Sequence, residues 1–120
     1  MIEEFKEQIQ QDIGNSRIHV YMKGTPLFPM CGFSKTTCEV FNALGATFTS
    51  TNVLDNLPDY RAALQETTNW PTIPQVFIGG EFVGGCDIIV EMYQAGELQG
   101  MLADAGEPVE ASPAAASSED

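Results

Sequence analysis

The residues with the clearest chemical potential are Cys31 and the three that follow it, Gly32, Phe33 and Ser34. Cys31 ends a proline-containing loop that begins at Lys23, and it precedes a segment with helical apolar spacing. Unpaired N–H groups and a partial positive charge at a helix N-terminus favour a thiolate, and Lys23 can add a full positive charge. We therefore predict that Cys31 is an accessible, low-pKa nucleophile or metal ligand rather than a buried apolar residue.

The other thiols do not form a redox pair with Cys31 in the sequence. Ser34 stands where a Cys-x-x-Cys pair would have its second cysteine, so a disulfide cannot close there. Cys38 follows by two helical turns, roughly 10 Å away, which is too far for a disulfide, and we predict that it is core. Cys86, beside Asp87 at another predicted helix start, is a candidate resolving cysteine or a source of backbone contacts only.

Composition excludes several classes of function. Seventeen acidic residues oppose five basic ones, for a net charge of −12, which argues against binding to nucleic acid or anionic lipid. No apolar run approaches the roughly 20 residues of a membrane span. Three cysteines and an acidic N-terminus without a long apolar run predict free thiols in a cytoplasmic setting. A zinc site that includes His19 lacks supporting spacing, so we expect His19 to be a hydrogen-bonded strand residue.

Hydrophobic periodicity predicts five helices and four strands. The predicted helices cover residues 2–13, 32–44, 58–67, 88–93 and 97–103, and the predicted strands cover 18–22, 47–53, 74–78 and 81–83. Gly79-Gly80 predicts a hairpin, and Asp87 is the expected N-cap of the fourth helix. The fold class is α/β, a mixed four-stranded sheet flanked by helices, over residues 1–103. Residues 104–120 are expected to be a disordered acidic tail rich in Ala, Ser and Pro.

Four spaced blocks of the sequence resemble those of one known family. They are Lys23-Gly-Thr-Pro26, Cys31-Gly-Phe-Ser34, Trp70-Pro-Thr-Ile-Pro-Gln75 and Gly84-Gly-Cys-Asp87. In this order they resemble the signature blocks of monothiol glutaredoxins of the Cys-Gly-Phe-Ser type, over about residues 2–103. The resemblance implies a glutaredoxin domain with a thioredoxin-like fold that binds glutathione and commonly carries a 2Fe-2S cluster.

The resemblance also assigns residues to one end of glutathione. Pro74 resembles the cis-proline that faces the thiol, and a cis bond there would free the backbone of Ile73 to pair with the cysteinyl part of glutathione. Lys23 and Arg61 match the positions that pair with the glycyl carboxylate, although Arg61 alone would be assigned to a solvated helix face. Trp70 is expected to be a packing anchor whose ring can border the site.

A second group of residues is expected at the other end of the ligand. Asp87 and the N–H groups around Cys86 match the family's positions for the γ-glutamyl end. Gly85 would let the backbone approach the ligand closely, or serve as a plain turn before the helix. Gln75 is expected to add a polar contact, and Phe33 is expected to shield the thiol or to form a partner surface.

The number of thiol ligands that one chain can offer supports a function as a cluster carrier. A 2Fe-2S cluster usually takes four soft ligands, and each chain offers one well-placed thiolate, Cys31. Two chains and two glutathiones would complete the set in a cluster-bridged homodimer, whose small thiol ligands make the cluster easy to transfer. The resemblance adds BolA-family proteins and apo iron-sulfur clients as partners.

The alternative is a glutathione-dependent thiol-disulfide oxidoreductase that deglutathionylates proteins through Cys31. It needs only this nucleophile and a second glutathione. The loop from Lys23 to Cys31 is longer than in dithiol glutaredoxins and resembles the family's inserted segment that repositions glutathione. We therefore expect at most weak oxidoreductase activity.

Overall fold

The chain forms a four-stranded mixed sheet with helices on both faces. The computed structural model describes residues 2–107. Its elements are α1 (Ile2–Asn15), β1 (Ile18–Met22), α2 (Gly32–Ala43), β2 (Thr49–Asn52), a short 3-10 turn (Leu54–Asn56), α3 (Leu57–Thr68), β3 (Gln75–Ile78), β4 (Glu81–Gly84), α4 (Cys86–Gln94) and α5 (Glu97–Asp104). The strand order is β2-β1-β3-β4, with β1 parallel to β2 and antiparallel to β3. The predicted fold class and element order are confirmed, and the 3-10 turn was not predicted.

The two faces of the sheet bury two separate apolar clusters. Side chains alternate between the faces of a strand, so Val20 and Met22 of β1 lie in one cluster and Tyr21 lies in the other. The first cluster also contains side chains of α2, α4 and α5, and the second contains those of α1 and α3. All five residues of β1 are buried because the strand is central in the sheet. The sheet therefore gives a rigid platform at whose edge the loop after β1 begins.

The hairpin between β3 and β4 is the one that Gly79-Gly80 predicts. These glycines have φ values of +62° and +82°, as the tight two-residue turn between antiparallel strands requires. The hairpin ends at Gly84, directly before α4 begins. The chain between Gln75 and Cys86 is thereby fixed in one connected unit.

The start of α4 differs from the prediction. Gly85 is the N-cap, with an extended backbone at φ −97° and ψ −164°, and helical geometry begins at Cys86. Asp87 lies inside the first turn, and no side chain caps this helix. The expected N-cap role of Asp87 is therefore wrong, because the glycine places the helix start two residues earlier. The Asp87 carboxylate is exposed, and the first N–H groups of α4 have no side-chain acceptor.

The folded domain continues past the predicted boundary at Ala103. Helix α5 runs to Asp104, and Glu107 is 7% exposed although it is charged. Its carboxylate accepts a hydrogen bond of 2.9 Å from the backbone N–H of Thr47 and lies 3.6 Å from the guanidinium of Arg17. A buried carboxylate with two partners marks Glu107 as part of the fold. The rest of the predicted tail, residues 108–120, lies outside the described residues.

Candidate functional site

Cys31 lies at the N-terminus of α2 in the environment predicted for a thiolate. It is the N-cap of the helix, with an extended backbone, and its side chain is partly accessible. The N–H of Ser34 does most to lower the pKa of the Cys31 thiol. The N–H of Phe33, the charge of Lys23 and the Ser34 hydroxyl also lower it, while partial burial opposes them. The helix N-terminus therefore stabilises the thiolate chiefly through its first backbone N–H groups.

Ser34 fastens the loop before Cys31 to the helix after it. Its side chain is completely buried, and its hydroxyl accepts a hydrogen bond of 3.1 Å from the backbone N–H of Lys23. Ser34, which occupies the position of a second redox thiol, therefore stabilises the local structure. The sequence motif alone identified Ser34 only by the thiol that it lacks.

The loop from Lys23 to Met30 has a fixed shape. The N–H of Met30 donates to the carbonyl of Lys23 at 2.9 Å, and Asn52 at the end of β2 accepts the N–H of Gly24 at 3.0 Å. Gly24 has φ of +90°, and a Cβ there would lie 2.4 Å from the carbonyl oxygen of Phe28. Only glycine fits this position, so the loop closes tightly and returns the chain to the start of α2.

A cavity of about 250 Å³ lies beside the start of α2. Six of the predicted site residues line it: Phe33, Ile73, Pro74, Gly85, Cys86 and Asp87. Trp70, Thr72 and Ile88 complete its walls. The structure therefore assembles residues from α2, from the loop before β3 and from the start of α4 around one opening.

The loop before β3 presents unpaired backbone groups to this cavity. The Ile73–Pro74 peptide bond is cis, as the resemblance implies. Within residues 2–107, the N–H and C=O of Ile73 make no hydrogen bond, although its side chain is 8% exposed. On the facing wall, a Cβ at Gly85 would lie 3.2 Å from the carbonyl oxygen of Pro74. The absence of a side chain at Gly85 thus allows the two walls to approach each other.

The Gln75 side chain is buried and bonded within the domain. It is 1% exposed, and its amide nitrogen donates to the carbonyls of Trp70 at 2.9 Å and Thr72 at 3.0 Å. Its amide oxygen accepts a hydrogen bond of 3.0 Å from the Thr68 hydroxyl. These internal bonds engage both the nitrogen and the oxygen of the amide, and the polar contact of Gln75 with a ligand stays a prediction. Gln75 holds the loop that forms one wall of the cavity.

Trp70 has both roles that the sequence suggested. Its ring lies 6.3 Å from that of Phe82, centroid to centroid, and it is 40% exposed where it lines the cavity. As the only tryptophan of the chain, it provides a spectroscopic reporter beside the cavity.

The predicted cationic residues lie outside the cavity lining. Lys23 is close enough to lower the pKa of the Cys31 thiol, whereas no described contact connects Arg61, exposed on α3, with the cavity. Within residues 2–107, neither of them forms an ion pair, while Lys6 lies 3.2 Å from Glu66. Both are therefore available to an anionic ligand.

Cys38, Cys86 and His19 are all buried, and of these Cys86 also lines the cavity. Cys38 is 2% exposed with its sulfur 3.5 Å from that of Met22, and burial raises its pKa, which confirms it as core. Cys86 is 8% exposed at the start of α4. His19 is buried in β1 and bonded to two threonine hydroxyls, as expected. No three His, Cys, Asp or Glu side chains in the described chain are grouped to hold a metal ion.

Comparison with known proteins decides the family. The glutaredoxin family profile matches residues 18–83. Glutaredoxin 4 of Escherichia coli strain K12 is 49% identical over 96 residues, which cover 80% of this chain and 83% of that protein. A monothiol glutaredoxin of Synechocystis is 48% identical over 99 residues, covering 82% and 92%. This chain belongs to the monothiol glutaredoxin family.

Solved structures of glutaredoxins share its thioredoxin-like fold. A crystal structure of a buckwheat glutaredoxin–glutathione complex has a TM-score of 0.79 at 29% identity and covers 88% of this chain and 93% of its own. A monomeric truncated mutant of Trypanosoma brucei 1-C-Grx1 has a TM-score of 0.78 at 42% identity, covering 88% and 96%. Across residues 2–107 of this glutaredoxin, no helix has the length and apolarity needed to cross a membrane.

Proposed function

We propose that this monothiol glutaredoxin binds glutathione in the cavity beside Cys31, and that two chains share a 2Fe-2S cluster for delivery to other proteins. The observation that carries the proposal is the pairing of one accessible, thiolate-stabilised cysteine with an adjacent cavity that has unpaired backbone groups. The cluster is cargo in this proposal, and Cys31 would supply one of its ligands.

The walls of the cavity suit the central and γ-glutamyl parts of glutathione. The free N–H and C=O of Ile73 can pair with the extended cysteinyl backbone, as an added strand would. At the γ-glutamyl end, the uncapped N–H groups at the start of α4 suit a carboxylate, and the exposed Asp87 carboxylate suits an ammonium. The buckwheat glutaredoxin–glutathione complex, with the same fold, supports this assignment.

The glycyl carboxylate of glutathione is assigned to Lys23 and Arg61. Both are without an ion pair in the described part of the chain, and Lys23 lies near enough to Cys31 to act on its thiol. Neither lines the apolar cavity itself, so they would hold the end of the ligand that extends beyond it. With one carboxylate at each end, glutathione would span from these cations to the start of α4.

The donor set of one chain fits half of a 2Fe-2S site. Cys31 is the accessible cysteine of the described residues, since Cys38 and Cys86 are buried, and no intrachain metal cluster exists among residues 2–107. Two Cys31 thiolates and two glutathione thiols give the four soft ligands that such a cluster takes. Half of these ligands are small exchangeable molecules, which favours transfer to BolA-family partners and apo iron-sulfur clients in the reducing cytoplasm.

The second candidate is deglutathionylation, which the accessible Cys31 thiolate favours. The thiolate would attack the glutathione sulfur of a protein mixed disulfide, and the protein would leave as its thiolate. A second glutathione thiolate would then attack the Cys31 adduct, releasing glutathione disulfide and restoring Cys31. Cys86 is 8% exposed but lines the same cavity, so it would be the alternative resolving thiol to a free glutathione.

Anaerobic reconstitution with iron and sulfide, with and without glutathione, separates these candidates. We expect visible absorption to develop only with glutathione, to vanish in Cys31→Ser and to persist in the matched control Cys38→Ser. A colourless protein in all conditions, together with rapid turnover of mixed disulfides, would reject the carrier and favour the oxidoreductase.

A further inference from the structure

The most exposed large apolar side chains of the described residues flank Cys31 in the sequence. They are Leu27 at 85% exposed, Phe28 at 75%, Met30 at 69% and Phe33 at 62%, and we call these four residues the thiol rim. Leu27 is four residues from Cys31, so the chain keeps their Cα atoms within about 14 Å. Scattered exposed apolar residues are ordinary, but a concentration around a reactive group indicates an interaction surface.

The loop presents the thiol rim in a preformed arrangement. Thr25 and Phe28 exchange backbone hydrogen bonds of 3.2 and 3.0 Å, and the Thr25 hydroxyl accepts the N–H of Phe28 at 3.1 Å. Gly24 and Pro29 form a β-bridge below this turn. A partner that docks here would order few additional residues, which lowers the entropic cost of binding.

The thiol rim lies in a stretch of the chain that carries two lysines and no acidic residue. Residues 23–38 contain Lys23 and Lys35 and no aspartate or glutamate, although the whole chain has a net charge of −12. The Lys35 side chain is exposed. Its residue lies one helical turn after Cys31, and its backbone N–H donates a hydrogen bond of 2.9 Å to the Cys31 carbonyl. Within residues 2–107 the Lys35 ammonium forms no ion pair, not even with Glu39 one turn later. One acidic residue, Asp87, lines the cavity together with Phe33.

We propose that the thiol rim and Lys35 form a docking surface for a partner-protein segment whose reactive cysteine lies among apolar and acidic residues. The apolar side chains of the segment would cover Leu27 and Phe28, and a carboxylate would pair with Lys35. This surface selects the partner. The inference rests on the proposed function in one respect only, since it requires that Cys31 act on partner proteins. Charge complementarity identifies the occupant, because Lys23 and Lys35 are the only charged residues of the stretch 23–38 that carries the thiol rim.

Glutathione mixed disulfides of three synthetic peptides test this selection. The first peptide has leucine and glutamate around its cysteine, the second replaces the glutamates with lysine, and the third replaces the leucines with serine. In each reaction the Cys31 thiolate attacks the glutathione sulfur, the Cys31–glutathione disulfide forms, and the peptide leaves as its thiolate. The single-turnover rate is divided by the rate with a small neutral disulfide, which corrects for the reactivity of the thiolate itself.

We expect the first peptide to react about fivefold faster than the second at low salt and about tenfold faster than the third. The rate ratio of the glutamate peptide to the lysine peptide should fall towards one in Lys35→Glu and at high salt. The rate ratio of the leucine peptide to the serine peptide should fall in the double variant Leu27→Ser/Phe28→Ser. The net charge of −12 alone predicts the opposite order for the two charged peptides, with the lysine peptide faster. Lys6→Glu is the matched charge control.

Three results would overturn the proposal. Equal corrected rates for all peptides would show that the rim does not select, and a faster lysine peptide would show that net charge dominates. Self-association of the cluster-free protein that disappears in Leu27→Ser/Phe28→Ser would assign the rim to a second copy of the chain. Cluster loading is measured separately on the same variants, so failure of the carrier function is distinguishable from failure of this surface.

Discussion

The hydroxyl of Ser34 accepts a hydrogen bond from the backbone N–H of Lys23 at 3.1 Å, with the serine completely buried. This bond joins the two ends of the segment that carries Cys31. The same serine contributes its N–H to the stabilisation of the thiolate. Replacement of a second thiol by serine therefore removes a resolving group and, at the same time, secures the position of the remaining one.

Ser34→Ala should loosen this segment. The N–H of Lys23 would lose its acceptor, so we expect the free energy of unfolding to fall by about 1–2 kcal/mol. The pKa of Cys31 should rise because the hydroxyl also lowers it. Urea unfolding and the pH dependence of alkylation measure the two effects. Ser50→Ala, which removes a hydroxyl without a described hydrogen bond, is the control and should change neither quantity.

Lys23→Ala should raise the pKa of Cys31 because the lysine charge favours the thiolate. The pH midpoint of Cys31 alkylation should lie below that of a free cysteine in the natural sequence and move upward in the variant. Lys35→Ala removes a charge one helical turn away that does not contribute to this pKa shift, and serves as the control. A midpoint that is the same in both variants and in the natural sequence would show that the lysine charge does not contribute to the pKa of Cys31.

His19 should make stability fall as the pH falls through its ordinary pKa of 6.5. Burial lowers its pKa in the folded chain below the ordinary value of 6.5, and the charge of Asp12 opposes this only in part. As the pH falls through 6.5, the unfolded chain binds a proton that the folded chain does not, so folding is destabilised. The loss is at most about 1.4 kcal/mol per pH unit.

Urea unfolding at several pH values measures this slope. His19 is the only histidine, so His19→Gln should flatten the dependence around pH 6.5, whatever its effect on absolute stability. Carboxylates titrate mainly at lower pH and should leave this part of the pH dependence unchanged. Equal slopes for the two proteins would contradict the assignment.

Truncation should locate the end of the folded domain. A chain ending at Glu107 keeps the bonds to Thr47 and Arg17, whereas a chain ending at Ala103 loses them. We expect the longer chain to unfold as the full chain does, and the shorter one to lose about 1–3 kcal/mol. Glu107→Gln in the full chain should lie between them, because the amide still accepts from Thr47. Equal stability of the two truncated chains would show that Glu107 contributes nothing.

Local patterns in the sequence were sufficient for the fold. The β-branched and aromatic run Ile18–Met22 and the Gly79-Gly80 pair are both local signals, and the structure confirms the strand and the hairpin that they predict. The thiolate environment of Cys31 could also be predicted, because a helix start and a nearby lysine are visible in the sequence. These features follow from propensity, period and turn geometry.

The differences arise from partners that are distant in sequence or from backbone geometry. The buried Glu107 contacts Thr47 and Arg17 across the domain, and no local pattern predicts such a pairing. The Gln75 amide bonds two carbonyls of the preceding loop and the Thr68 hydroxyl at the end of α3, and no local pattern shows that these groups meet. Aspartate is a preferred N-cap residue, but Gly85 rather than Asp87 adopts the extended backbone of the N-cap position.

Native mass spectrometry of the reconstituted protein tests the central proposal most directly. It counts the chains, the iron and sulfide, and the glutathiones in one species. We predict a complex of two chains, one 2Fe-2S cluster and two glutathiones that is absent in Cys31→Ser and present in Cys38→Ser. A cluster-containing complex without glutathione, or one that survives Cys31→Ser, would contradict the proposal that Cys31 and glutathione together hold the cluster.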